Sequence, residues 1–154
     1  MIRHATLIAG YDKEAWRGVL MEGPSGSGKS DLALRALAAG FRLIADDGAT
    51  TFASGGRLYG RAPTAITGLI EVRGVGIVPR PTLAMARIVL MVHCASAPGE
   101  VERMPEPAFQ TVAGVKLPVV TLWPFETSAM DKLICALEHL GAHRHREYEG
   151  AFAP

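Results

Sequence analysis

The sequence predicts a mixed α/β domain in which β-strands outnumber α-helices. The chain has 154 residues, the usual size of one domain. Short apolar runs of strand length recur along it, whereas helical spacing is confined to two segments. One stretch runs from strand to glycine-rich loop to helix to strand in direct succession. Hydrophobic residues make up 49% and charged residues 20%, which excludes a disordered chain.

Each predicted strand is an apolar run that ends at a turn residue or a charge. The first, residues 5–9, stops before Gly10, and we expect it to be an edge strand. Residues 48–60 predict a hairpin with Gly55-Gly56 at its turn. The other predicted strands are residues 18–21, 41–45, 66–72, 87–93 and 115–122.

Two segments have the spacing of a helix. Residues 29–39 place Leu32 and Ala36 on one face, and Gly40 follows as a C-cap. Residues 128–140 repeat the pattern and end before Gly141. Prolines and glutamates mark residues 97–107 as a loop. We expect one domain over residues 1–142, followed by a polar C-terminal tail over residues 143–154.

The charge balance argues against a nucleic-acid or membrane-surface protein. Sixteen Lys and Arg residues face fifteen Asp and Glu residues, so the net charge of +1 provides no strong field for an anionic partner. We find no signal peptide and no apolar run long enough for a membrane span. Cys94 and Cys135 lie in apolar stretches and are expected to be buried in a reducing compartment. These features predict a cytoplasmic protein that binds neither nucleic acid nor membrane.

A phosphate-binding motif occupies residues 23–30. They read Gly23-Pro24-Ser25-Gly26-Ser27-Gly28-Lys29-Ser30, the full G-x-x-x-x-G-K-[ST] pattern. Glycines allow successive backbone N–H groups to turn towards an anion, and the next helix adds the positive end of its dipole. Lys29 supplies a charge to the β and γ phosphates, and Ser30 offers a hydroxyl to Mg²⁺. The motif predicts a P-loop that holds a nucleotide with Mg²⁺.

Acidic residues follow the next strand, where phosphoryl transfer needs a metal ligand or a base. Asp46 and Asp47 end the run 41–45, and parallel strands would bring them to the same edge as the loop. Adjacent carboxylates project to opposite sides of an extended chain, so each can have its own role. The alternative is that Asp46-Asp47-Gly48 is only a turn. The later strand 87–93 ends in His93-Cys94 without an acid, which leaves the acidic roles to Asp46, Asp47 and Glu71.

Several segments together resemble a known family. In chain order they are Arg3-His4-Ala5-Thr6-Leu7, the loop 23–30, Leu43-Ile44-Ala45-Asp46-Asp47, Gly60-Arg61-Ala62-Pro63, Glu71-Val72-Arg73-Gly74-Val75-Gly76-Ile77-Val78 and Glu102-Arg103. They resemble the catalytic domain of HPr kinase/phosphorylase, the bacterial enzyme that acts on a serine of the phosphocarrier HPr. The resemblance covers roughly residues 3–125. It is to the short, single-domain form found in alphaproteobacteria.

This resemblance implies a fold and an activity. The fold would be like that of phosphoenolpyruvate carboxykinase, a P-loop domain with mixed β-sheets. The activity would be an ATP- and Mg²⁺-dependent serine protein kinase that phosphorylates HPr and also reverses the reaction by phosphorolysis. It would regulate carbon metabolism and the phosphotransferase system. Members of the family form homo-oligomers, namely hexamers.

The same resemblance implies a role for each matching site residue. Asp46 would be the base that takes the proton of the serine hydroxyl, and the acid in the reverse direction. His4 and Asp47 would support Asp46, and Ser30 and Glu71 would hold Mg²⁺.

Two loop segments carry further candidates. Arg103 stands where the family has an arginine after an acidic residue, and it would approach the transferring phosphoryl group or inorganic phosphate. Leu122-Trp123-Pro124-Phe125-Glu126 occupies the place of the family's late Pro-Gly-Arg-Asn segment. We expect Trp123 and Phe125 to cap the core.

Two other functions fit the loop taken alone. A small-molecule P-loop kinase would need an acceptor-specific pocket and a closing lid, for which the sequence offers no clear segment. A nucleotide-binding regulatory module without turnover is the other alternative. Such a module would need no base, so the presence of both the loop and the acidic residues argues against it.

Overall fold

A curled mixed β-sheet is the framework of the computed structural model, which describes residues 1–12, 14–63 and 68–141. Its strands are β1 (Ile2–Arg3), β2 (Thr6–Tyr11), β3 (Trp16–Glu22), β4 (Arg42–Ala45), β5 (Ala49–Ser54), β6 (Arg57–Arg61), β9 (Met85–Cys94), β10 (Ala108–Val112) and β11 (Val115–Leu122). A separate hairpin is made of β7 (Leu69–Val72) and β8 (Gly76–Pro79). The helices are α1 (Lys29–Ala38) and α2 (Ala129–Leu140).

The long central strand β9 divides the sheet into two wings. The first half of β9 pairs with β6 in antiparallel fashion, and its second half pairs with β11 in parallel. Its other edge pairs with β3 in parallel, and the order continues from β3 to β2 to β4. Strand β2 is antiparallel to both of its neighbours, so β3 and β4 run in the same direction.

Two apolar clusters fill the two faces of this sheet. One lies between the sheet and the helices and contains Leu32 of α1 and Leu133 of α2. The other lies inside the curl, where Leu7, Leu58 and Leu117 come from three different strands. The sheet therefore carries helices on one face and closes partly upon itself on the other.

Most of the predicted elements are confirmed, with local corrections. Strand β11 has the predicted bounds, both helices agree within one residue, and the β5–β6 hairpin turns at Gly55-Gly56. The expectation that residues 5–9 form an edge strand is wrong, because β2 is hydrogen-bonded on both sides. Strands β1, β8 and β10 were not expected. The first two residues of the predicted strand 66–72 lie outside the described residues, and so does the whole of the predicted tail 143–154.

Two expectations about burial are also wrong. Cys94 is buried and free as expected, but Cys135 is exposed because it lies on the outer face of α2. Phe125 does not cap the core: its side chain is 55% exposed. Neither helix in the described part of the chain is long and apolar enough to cross a membrane.

Candidate active site

The phosphate loop connects β3 to α1 and is closed by its own lysine. Lys29 is buried, and its Nζ donates hydrogen bonds to the carbonyl oxygens of Gly23 (2.7 Å) and Pro24 (3.0 Å). An ammonium group has three donors, so these bonds leave one for a phosphate oxygen. The loop is thus held in shape by the residue that would meet the ligand.

Two loop positions require glycine for lack of space. A Cβ on Gly23 would lie 2.7 Å from the Cys94 carbonyl oxygen and 3.0 Å from Ser27 Oγ. A Cβ on Gly28, whose φ is 99°, would lie 2.7 Å from the Cβ of Pro124. The loop therefore packs closely against the ends of β9 and β11.

Strand β4 delivers Asp46 to this loop. Asp46 Oδ1 accepts a hydrogen bond from Ser30 Oγ (3.1 Å) and a second from Thr6 Oγ1 (3.0 Å). The β2–β4 register shifts between Leu7 and Ile8, so Ile44 is an extra residue in β4, two positions before Asp46. Such a bulge re-aims the side chains that follow it. The phosphate loop and Asp46 are therefore in contact, as the sequence predicts.

Asp47 turns away from its neighbour through an unusual backbone conformation. Its φ is 58°, in the left-handed region, which aspartate adopts more readily than most residues. Its Oδ1 lies 3.2 Å from His4 Nε2, and both side chains are largely exposed. Its N–H donates to Thr6 Oγ1 at 3.5 Å. The two carboxylates are therefore separated by a turn, because both lie beyond the end of β4, and not by the alternation of an extended chain that the sequence predicts.

Glu71 reaches the same place from the small β7–β8 hairpin. A cavity of about 270 Å³ is lined by side chains of β4, β7 and the acidic turn, and Asp46, Asp47 and Glu71 are its carboxylates. The signature segment predicted from the sequence thus contributes one acid to a cavity shared with the Asp pair.

The donor set fits Mg²⁺. A hydroxyl and carboxylate oxygens are hard ligands, and Mg²⁺ in nucleotide sites takes one or two carboxylates with waters and phosphate oxygens. No group of three or more His, Cys, Asp or Glu side chains in the described ranges is arranged to hold a metal by itself. Ser30 and Glu71 would hold the ion together with the phosphates of the nucleotide.

Below the loop the environment is apolar. Burial raises the pKa of the Cys94 thiol to about 11, and the nearby Lys29 charge opposes this rise only in part. Ser27 Oγ is buried and has no hydrogen-bond partner within the described structure. Cys94 is therefore a neutral packing residue at neutral pH, not an activated nucleophile.

The structure does not bring Arg103 to the other candidates. Arg103 is exposed on the loop between β9 and β10, and it neither lines the cavity nor pairs with another described residue. His4, Lys29, Ser30, Asp46, Asp47 and Glu71 do come together around the loop and the cavity.

Sequence reasoning missed two supports of the site. Thr6 is wholly buried and contacts both aspartates, and the only signal for it was a hydroxyl residue inside an apolar run. Arg3 bonds Glu22 Oε1 through Nε (3.0 Å) and Nη2 (2.6 Å), which ties β1 to the last residue before the loop. Nothing in the spacing of Arg3 and Glu22 predicts their pairing.

Comparison with solved structures supports the fold as a whole. The chain matches the structure of the Hpr(Ser) kinase/phosphatase from Coxiella burnetii with a TM-score of 0.75 and 21% identity. The match covers 96% of this chain and 99% of that one. The curled mixed α/β architecture is therefore that of a known fold.

Sequence relatives carry the same kind of name. A HPr kinase/phosphorylase of Leptothrix cholodnii is 33% identical over 117 residues, which cover 68% of this chain and 36% of that protein. One from Clostridium tetani is 44% identical over 66 residues, covering 43% of this chain and 22% of that protein. The chain thus spans well under half the length of these relatives. The family model for the HPr Serine kinase C-terminal domain matches residues 2–136. The chain belongs to the HPr serine kinase C-terminal domain family.

Proposed function

We propose that this chain is an ATP- and Mg²⁺-dependent protein kinase that phosphorylates a serine of HPr. Phosphorolysis of the phosphoserine is its reverse direction, and regulation of carbon metabolism and the phosphotransferase system is its role. The proposal rests on family membership and on the chemistry of the acidic site.

A single observation carries the proposal: Asp46 is hydrogen-bonded to Ser30 of the phosphate loop. A carboxylate in direct contact with the metal-side hydroxyl is positioned next to the γ-phosphate of a bound nucleotide. Both hydrogen bonds that Asp46 accepts from the described residues end on Oδ1, which leaves Oδ2 for an acceptor hydroxyl. A loop that only bound nucleotide would not need a base at this point.

The residues then divide the reaction between them. Lys29 and the loop N–H groups bind the phosphates and neutralise the charge that develops during transfer. Ser30 and Glu71 would hold Mg²⁺, which would supply further charge neutralisation. Asp46 takes the proton of the serine hydroxyl as the oxygen–phosphorus bond forms, and the bond to ADP breaks with its electrons leaving on ADP. Asp47 and His4 keep the acidic turn in place.

Further features belong to the same proposal. The domain is of the P-loop type and similar to phosphoenolpyruvate carboxykinase, and it extends over residues 1–142. The protein acts in the cytoplasm as a homo-oligomer, a hexamer as in its family. Arg103 would approach the phosphoryl group only if its exposed loop closes over the cavity, so its role is best tested directly by Arg103→Ala.

The test is a transfer assay with intact-mass detection. Purified chain, Mg²⁺–ATP and HPr from the same organism are incubated, and one added phosphate on HPr is measured. Lys29→Ala and Asp46→Ala should both abolish it, but Asp46→Ala should reduce kcat far more than nucleotide affinity. Glu138→Gln, an exposed carboxylate near the end of α2, is the control and should have wild-type activity. Inorganic phosphate added afterwards tests the reverse direction.

The outcome also separates the alternatives. ATP binding without any phospho-HPr would favour a regulatory module, and ADP release with small metabolites in the absence of HPr would favour a small-molecule kinase. Full activity of Asp46→Ala would refute its assignment as the base.

A further inference from the structure

The loop that follows β11 borders the phosphate loop. Strand β9 pairs in parallel with β3 on one side and with β11 on the other, so the carboxyl ends of all three strands lie at one edge of the sheet. The phosphate loop leaves β3 at this edge, and residues 123–128 leave β11 there. Ligands of open parallel sheets bind outside these carboxyl ends.

Phe125 in this loop contacts the phosphate loop directly. A Cβ on Gly28 would lie 3.2 Å from Phe125 Cζ, so the ring packs against the residue that caps α1. Phe125 as a residue is 55% exposed, although its side chain is large and apolar. An exposed aromatic residue therefore adjoins the place where phosphates would bind.

Neighbouring side chains brace the ring and the backbone that carries it. Trp123 contacts it edge-on, with ring centroids 6.5 Å apart and an interplanar angle of 75°. Arg35 of α1 donates hydrogen bonds to the carbonyl oxygens of Pro124 and Glu126. Glu126 is also paired with Lys132 at 2.6 Å. The helix that begins at the phosphate loop thus anchors the backbone on both sides of Phe125.

We propose that Phe125, braced by Trp123, is the stacking platform for the base of the bound nucleoside triphosphate. This inference rests on the proposed function, because it takes a nucleotide to be the ligand of the loop. Aromatic side chains bind bases through their faces, and a ring fixed in advance loses little entropy on binding. Every base has a π-face, so the platform adds affinity for ATP and GTP alike.

The test compares nucleotide with tripolyphosphate, which has the phosphates but no base. Dissociation constants of the Mg²⁺ complexes of ATP, GTP and tripolyphosphate are measured calorimetrically for the wild type and variants. Phe125→Ala should weaken ATP and GTP binding about tenfold and leave tripolyphosphate binding unchanged. Phe125→Tyr should retain wild-type affinity. Phe109→Ala removes a similarly exposed ring, 47% exposed on β10, and should change nothing.

Unchanged tripolyphosphate binding also shows that the variant has kept its loop intact. An equal loss for ATP and tripolyphosphate in Phe125→Ala would overturn the inference, because the ring would then support only the loop. Wild-type ATP affinity in Phe125→Ala would overturn it too and would leave the proposed function standing. Failure of the wild type to bind either ligand would refute the proposed function, and the inference with it.

Discussion

Replacing Thr6 with valine removes one hydroxyl from beneath the acidic pair and tests whether that hydroxyl orients Asp46. The two side chains have nearly the same shape, so the change leaves no large cavity. It deletes the 3.0 Å bond to Asp46 Oδ1 and the acceptor of the Asp47 N–H at 3.5 Å. The bond to the carboxylate is the stronger of the two because it is shorter and its acceptor is charged.

The expected magnitude comes from this one charged bond. A hydrogen bond to a charged group contributes about 1.5–3 kcal/mol. Asp46 is half-buried, so water recovers part of the loss and the net effect should be about 1–2 kcal/mol. If the lost energy is orientation needed in the transition state, kcat falls about 5- to 30-fold. Since the loop contacts of Lys29 are untouched, the KM for ATP should stay within about twofold.

Steady-state phosphorylation of HPr measures both parameters, and urea unfolding measures stability. Thr6→Ser keeps the hydroxyl and should restore most of kcat. Thr51→Val is the matched control, because Thr51 is also a buried threonine and its hydroxyl bonds the Met1 carbonyl, outside the site. A Thr6→Val protein that is less stable but has wild-type kcat would refute the positioning role. So would a Thr6→Ser protein as impaired as the valine variant.

Three other positions around the loop carry measurable expectations. Gly28→Ala should be less stable to urea than Gly26→Ala by about 1–3 kcal/mol. Both glycines have positive φ, but of the two only Gly28 has a neighbour in the way of a Cβ, which would lie 2.7 Å from Pro124. Equal losses of stability in the two variants would contradict this. Burial raises the pKa of the Cys94 thiol from 9.0 to about 11, so the unfolded state loses this proton first. The free energy of unfolding of the wild type should therefore fall as the pH rises between these two values, by up to about 1.36 kcal/mol per pH unit relative to Cys94→Ala. If stability has the same pH dependence in the wild type and in Cys94→Ala, the buried thiol does not contribute. Arg35→Met keeps the apolar stem but removes the donors to the loop after β11, so amide exchange there should rise about tenfold while core amides stay protected; uniform exchange across the chain would refute the anchoring role.

Elements with strong local signals could be predicted from the sequence. Strand β11 is rich in valine and other strand-forming residues, although it contains one proline. Helix α1 has an apolar face and a glycine after its end, and Gly55-Gly56 has the positive φ angles that a tight hairpin needs. Strand β10 could not be recognised, because four of its five residues are exposed and show no apolar alternation. Its pairing depends on β11, which supplies the missing hydrogen bonds.

The order of the strands in the sheet was the property that the sequence predicted least well. The apolar run 5–9 predicts a strand, but its expected edge position is wrong because its partners on each side depend on registers with residues further along the chain. Phe125 is a similar case: an aromatic residue after a strand is usually taken into the core, whereas here it lies beside Gly28 of the phosphate loop and stays largely exposed. Both errors concern non-local packing, which a hydrophobic pattern does not encode.

The antiparallel insertion of β2 explains why residues so distant in sequence form one site. A direct βαβ unit would place β3 and β4 side by side, with the phosphate loop and the Asp pair at adjacent strand ends. Here β2 lies between them and runs the other way, so its first residue stands level with their last ones: Thr6 is opposite Met21, and Leu7 is opposite Ala45. The edge that carries the loop and the acids therefore also receives Thr6, the first residue of β2, and His4, which lies just before that strand. Thr6 lies at the end of β2 that is next to the last residue of β4. Its hydroxyl therefore reaches both Asp46 and the Asp47 N–H. If β2 were parallel to β3 and β4, its last residues would lie at this edge instead of its first. Thr6 and His4 would then be too far away to contact Asp46 and Asp47.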